Sequence, residues 1–196
     1  MKKYLFLILV TLASCTPILK MAYGIKNPEV ENKDSIIRYL DKKNMNSSNI
    51  YAYDFESFKI HLKDKNSIPD VYIYNSNGEY IPYGDDYACN ASAFDFVSKL
   101  DKTIPYQTKD IRNLNTSIIG LTDLDGTNVE FNKSEKVDFY VLIYWTVYIG
   151  KLNKDHVKIW EEQANNNTKS NIKVLKINMD FQENWGEDNI KTIYSE

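Results

Sequence analysis

Val137-Asp138-Phe139-Tyr140-Val141-Leu142-Ile143-Tyr144-Trp145 decides the fold of this 196-residue chain. Only Asp138 interrupts a run of β-branched, aliphatic and aromatic side chains. Apolar residues at consecutive rather than alternate positions, over so short a span, predict a central strand buried on both faces. Such a strand needs cover above and below, and its flanks supply it. Lys151 to about Ala164 reads as a helix with Leu152, His156, Ile159 and Trp160 along one side, and Ile172 to Met179 as a further strand. The tail from Phe181 to Glu196 predicts a helical start near Trp185. Strands alternating with helices indicate an α/β domain.

Working outward towards the N-terminus, Thr103 to Asn115 reads as a polar connector. Ser117 to Leu121, the turn Asp123-Leu124-Asp125-Gly126 and Asn128 to Phe131 read as a hairpin. Before these, Ala91 to Leu100 is an amphipathic helix that turns Phe94, Val97 and Leu100 inward. Asp70-Val71-Tyr72-Ile73-Tyr74 and Glu79-Tyr80-Ile81-Pro82-Tyr83 flank Asn77-Gly78, a strong short-range hairpin signal. Asn49 to Asp54 predicts a strand and Phe55 to Leu62 a helix. A first helix, capped by Asp34, carries Ile36, Ile37 and Leu40 and ends near Lys43.

The start of the chain has a different logic. Lys2 and Lys3 precede an apolar run from Leu5 to Val10, and Leu12-Ala13-Ser14-Cys15 follows. The apolar run is too short for a spanning helix of ~20 residues and has the layout of a cleavable export signal. The four residues ending in Cys15 resemble the lipobox of bacterial lipoproteins. That resemblance implies cleavage before Cys15 and diacylglycerol, then palmitate-type acylation, on the new N-terminal cysteine. Each buried CH₂ contributes ~0.8 kcal/mol, so several acyl chains anchor a protein stably. Thr16, where an Asp would retain the protein at the inner membrane, points to the periplasmic side of the outer membrane. The alternatives are an ordinary secretory signal and an apolar first helix of an unexported chain. Residues 1–14 are therefore read as signal peptide and 15–31 as tether. Residues 32–103 form an N-terminal α/β region, 104–116 a connector, and 117–196 a second region.

Loss of Lys2 and Lys3 leaves 22 basic against 27 acidic side chains, a net charge of about −5. No basic stripe is available to displace phosphate counterions, which argues against nucleic acid as a partner. With Cys15 acylated, Cys89 is the one thiol left, so no intramolecular disulfide is possible. Cys89 reads as a buried, inert thiol; the alternative is a thiol-disulfide enzyme or redox partner that uses it in intermolecular disulfides.

Gly120 to Asp180 resembles the first half of a thioredoxin-like domain of the TlpA/AhpC class. The resemblance rests on Leu121-Thr122-Asp123-Leu124-Asp125-Gly126, on Lys136 ahead of the Val137–Trp145 strand, and on Asn178-Met179-Asp180 ending the next strand. It implies a three-layer sandwich. It also implies two redox cysteines directly after Trp145, but Thr146 and Ile149 stand there. Disulfide exchange needs a low-pKa thiolate and a resolving thiol. Thr146 supplies neither, although its hydroxyl could cap the following helix. Peroxidase chemistry fails on the same ground, and no cofactor is implied. The family's second half runs helix, cis-proline, hairpin, helix; that order recurs upstream in Phe55 to Leu100, with Pro69 as the candidate cis-proline. A circularly permuted single domain and two incomplete tandem modules both fit.

The remaining constellations are weak. Asp123 and Asp125 lack the further ligands of a calcium loop and read as a turn. Asp85 and Asp86 read as solvated, and His61 and His156 have no metal-ligand spacing. Tyr72, Tyr74, Tyr80, Tyr83 and Tyr87, with Tyr140, Tyr144 and Tyr148, read as sheet packing or as an aromatic face for a protein or glycan. The expectation for function is a lipid-anchored, redox-inactive thioredoxin-like module that binds a protein partner in the cell envelope.

Overall fold

Phe139–Trp145 is a strand with every residue buried, as its composition requires. A computed structural model of the chain describes residues 20–65, 67–84, 90–131 and 136–195. The strands are β1 (Val30–Glu31), β2 (Ile50–Tyr53), β3 (Asp70–Asn75), β4 (Glu79–Tyr80), β5 (Lys109–Asn113), β6 (Leu121–Thr122), β7 (Phe139–Trp145), β8 (Ile172–Asn178) and β9 (Phe181–Gln182). The helices are α1 (Lys33–Lys42), α2 (Phe55–Lys63), α3 (Ser92–Ser98), α4 (Leu114–Ser117), α5 (Lys158–Asn165) and α6 (Glu187–Ser195). One-turn 3₁₀ helices stand at Val147–Ile149 and Glu183–Trp185, and Asn153–Val157 is wound as a π-helix that leads into α5.

Seven strands form one sheet in the order β5-β4-β3-β7-β8-β2-β6. β7 runs parallel to β8, and β8 parallel to β2, while β3 lies antiparallel to β7. Strands from both halves of the chain are therefore direct neighbours: Asp70 pairs with Tyr144 and Asn75 with Phe139. Period-two alternation sends Phe139, Val141, Ile143 and Trp145 to one face, under α1, α3 and α5. Tyr140, Leu142 and Tyr144 reach the other face, under α2, α4 and α6. Helices thus cover the sheet on both sides. Fully burying one such apolar side chain stabilises by about 1.5–3 kcal/mol, so β7 alone anchors both layers.

Several sequence expectations change. Asn32, not Asp34, caps α1: its side chain accepts the Ser35 N–H at 3.0 Å, and Ser35 Oγ accepts the Asn32 N–H at 2.9 Å. The polar connector contains edge strand β5, whose mostly solvated residues carry no apolar alternation to read. Ser117 ends helix α4 rather than opening a hairpin arm, and Leu121–Thr122 pairs with β2. Its only ladder contact with the expected second arm is the Thr122–Asn128 bridge. Ile159 faces outward from α5. The segment read as tether is docked from Lys20 onward: the Lys26 N–H donates to Tyr148 O, and Lys151 Nζ to Ala22 O, both at 2.8 Å. No helix among the described residues is long and apolar enough to cross a membrane.

Candidate functional site

The end of β7 is where the sequence places the chemistry. Trp145 and Thr146 are fully buried and Ile149 nearly so. The Thr146 hydroxyl makes no capping bond to the 3₁₀ turn that follows, contrary to expectation. Asp180 does that work instead, because the end of β8 brings its carboxylate within reach. Its Oδ2 accepts the Val147 N–H and the Asn178 Nδ2–H, both at 2.7 Å. Burial pushes the Asp180 carboxyl up to about 7, against the pull of these donors. Asn153 Nδ2 donates to Thr146 O and to the Tyr39 hydroxyl, closing the turn from below. Gly150 is required here: at φ +64, a Cβ would stand 2.4 Å from the carbonyl oxygens of Tyr23 and Gly24. The Ile68–Pro69 peptide is cis, and continuing the β3–β7 register sets Pro69 beside Trp145. Among the described residues, this region is a closed polar knot with no thiol in it.

The other candidates separate. Cys15, Asp85, Asp86, Tyr87 and Cys89 lie outside the described residues. Tyr72, Tyr74, Tyr80, Tyr140 and Tyr144 are buried in the packing of the sheet and are not displayed as an exposed aromatic face. His156 sits against Phe94 and Trp160, and His61 stacks on Tyr53 with centroids 4.2 Å apart. Asp123 Oδ1 accepts the Asp125 and Thr127 N–H groups, and Asp125 pairs with Lys33, as a turn would. Among the described residues no cluster of three His, Cys, Asp or Glu could hold a metal.

A cavity of about 250 Å³ opens on the α2 face of the sheet, lined by α2, β3, β5, α4 and β7. Lys65, two residues past α2, lines it with a side chain only 3% exposed. Its Nζ lies 3.4 Å from the centroid of the Tyr72 ring and 3.1 Å from that of Tyr144. Asp70 Oδ2 stands 3.7 Å away, and Nζ donates no hydrogen bond. Burial drives the Lys65 ammonium well below its ordinary pKa, and Asp70 opposes this in part. The two ring faces also favour the cation. Burial likewise raises the Asp70 carboxyl and the Tyr72 hydroxyl, and lowers His61. The Arg112 guanidinium lies 4.5 Å from the Tyr72 ring and 5.5 Å from that of Tyr80. Tyr53 and Tyr74 are held from behind: the Tyr53 hydroxyl donates to Ser117 O at 2.6 Å, and that of Tyr74 meets Ser117 Oγ at 2.7 Å.

Sequence reasoning missed both cations. Lys65 is one of many lysines in a polar run, and nothing local marks it. Arg112 offered a signal, being one of only two arginines in the chain. An arginine's planar fork and weak hydration suit stacked, half-buried positions better than a lysine does. Set against known protein families, curated proteins and solved structures, the chain matches none of them.

Proposed function

We propose that this chain is a lipid-anchored, redox-inactive thioredoxin-like module that acts by binding in the cell envelope, held by Cys15 to the periplasmic side of the outer membrane. One observation carries the reading. β3 pairs directly with β7, whose Trp145 leads into the turn where the family keeps its cysteines. In the permuted arrangement the cis-proline, hairpin and helix come first in the chain, and the strand, helix and strand come last. Joining of the β3–β4 hairpin to β7 supports that arrangement. Thr146 and Ile149 at the thiol positions support the loss of redox function.

Two measurements test this. Labelled palmitate should be incorporated by the natural chain and not by Cys15→Ser; equal labelling refutes the anchor. Thr146 precedes a single 3₁₀ turn that Ile149 ends, so the two stand three residues apart across one turn, and a disulfide there needs a Cα spacing of roughly 4.4–6.8 Å. The double substitution Thr146→Cys, Ile149→Cys should therefore lose two alkylatable thiols on mild oxidation. If both thiols stay free, the turn is not built like a redox turn and the thioredoxin-like reading fails.

A further inference from the structure

The cavity beneath α2 has a charge balance that the proposed fold relationship does not explain. Two cations line it, Lys65 and Arg112, against one buried carboxylate, Asp70. Asp64 also lines the mouth but is exposed, so water screens it. His61 is held towards its neutral form by burial. Among the described residues, Arg112 has no carboxylate within ion-pairing distance, and the Lys65 ammonium has no hydrogen-bond acceptor. A buried cation whose carboxylate neighbour, Asp70 at 3.7 Å, stands beyond hydrogen-bonding distance is only partly compensated, unless something else completes the site.

The rim differs in character from the floor. Ile60, Ile111 and Ile119 all border the cavity and are 63%, 58% and 61% exposed. Exposed isoleucines scattered singly mean little, but three around one opening over a cationic floor form an amphipathic receptacle. Its volume of about 250 Å³ lies just under the range of roughly 300–1,000 Å³ that holds drug-sized molecules. The occupant must therefore be small.

We propose that this cavity binds a small monocarboxylate with a short apolar tail, the carboxylate between Arg112 and Lys65 and the tail against Ile60, Ile111 and Ile119. A carboxylate accepts from a guanidinium in a fork and from an ammonium as a point charge, so one group satisfies both cations. One negative charge balances the floor; a dianion would overcompensate it. The same chemistry is carried by a free short-chain acid and by the C-terminal carboxylate of a peptide ending in an apolar residue. This assignment rests on the cavity alone and stands or falls apart from the thioredoxin-like reading.

Calorimetric titration of the full chain with hexanoate tests it. Hexanoate should bind with a Kd below about 1 mM, and isosteric but uncharged hexanamide about tenfold more weakly or worse. Arg112→Gln, on an edge strand where folding is little disturbed, should weaken hexanoate about tenfold; Lys65→Met should do the same. Acetyl-glycyl-leucine with a free carboxylate, set against its amide, separates the sources. Tighter binding than hexanoate assigns a peptide terminus, and weaker binding assigns a free acid. Equal binding of hexanoate and hexanamide, no detectable hexanoate binding, or full affinity in Arg112→Gln overturns the proposal.

Discussion

Two buried lysines occupy opposite faces of the same sheet, and the structure treats them differently. Lys176 on β8 lies under α5 with no exposed side-chain surface. Its Nζ meets Glu161 Oε1 at 2.7 Å and also donates to the carbonyl oxygen of Asn46. Lys65, under α2, is wedged between two tyrosine rings with a carboxylate at 3.7 Å and donates to nothing. Burial lowers both ammonium groups from their ordinary pKa. The first is a finished ion pair that ties α5 and the loop before β2 to β8. The second borders a cavity and remains incomplete. A buried charge with its partners in place serves the fold, and one without them points to a ligand.

The same substitution at each site tests that contrast. Lys176→Met leaves Glu161 buried with no donor, because Lys176 is the one group that offsets its desolvation. Removing one member of a buried pair costs about 3–5 kcal/mol, so the urea midpoint should fall by that equivalent. A loss under about 1 kcal/mol would mean that Glu161 finds water or another donor, and the contrast would collapse.

Asp180 is the intermediate case, satisfied at Oδ2 but with Oδ1 unpartnered. Folded, it holds its proton up to about pH 7; unfolded, only to about 3.9. Between those values the folded state binds more protons, so stability is highest at low pH and falls as pH rises through the folded pKa. Integration between pH 5 and pH 8 predicts a loss of about 2–3 kcal/mol, and Asp180→Asn should flatten that slope. A slope unchanged in the variant would assign the pH dependence elsewhere.

How much was legible follows from what each feature depends on. The β7 strand was readable because nearly every residue from Val137 to Trp145 carries the same message. Its antiparallel partner was readable from Tyr72 and Tyr74 alternating with Val71 and Ile73 ahead of Asn77-Gly78. Helix α4 was not readable: Leu114-Asn115-Thr116-Ser117 forms one turn held by the Asn113 cap and by Leu114 in the core, a tertiary effect. The cavity was invisible for a related reason. Lys65, Arg112, Tyr72 and Tyr144 are far apart in sequence and have no mutual spacing. Only the antiparallel meeting of β3 with β7 sets the two tyrosines on one face with Lys65 between them. The turn after β7 was legible in residue type, as Thr146 and Ile149, but not in who caps it.

The smallest predicted effect is the most discriminating. Lys65→Met replaces the ammonium with an unbranched side chain of similar length that packs between the Tyr72 and Tyr144 rings. It removes the desolvation burden of the cation. Asp70 is left with the Val71 N–H at 2.9 Å, the Tyr72 hydroxyl and the charge of Arg112, so it is not stranded as Glu161 would be. The two changes oppose each other, and the net effect on folding should stay within about 1 kcal/mol of the natural chain, against 3–5 for Lys176→Met. A urea midpoint shifted by the larger amount would make Lys65 a structural cation like Lys176, and its cavity would lose its claim to a ligand. A midpoint that barely moves, with hexanoate binding weakened about tenfold, would show that the amine is kept in the core for what it binds.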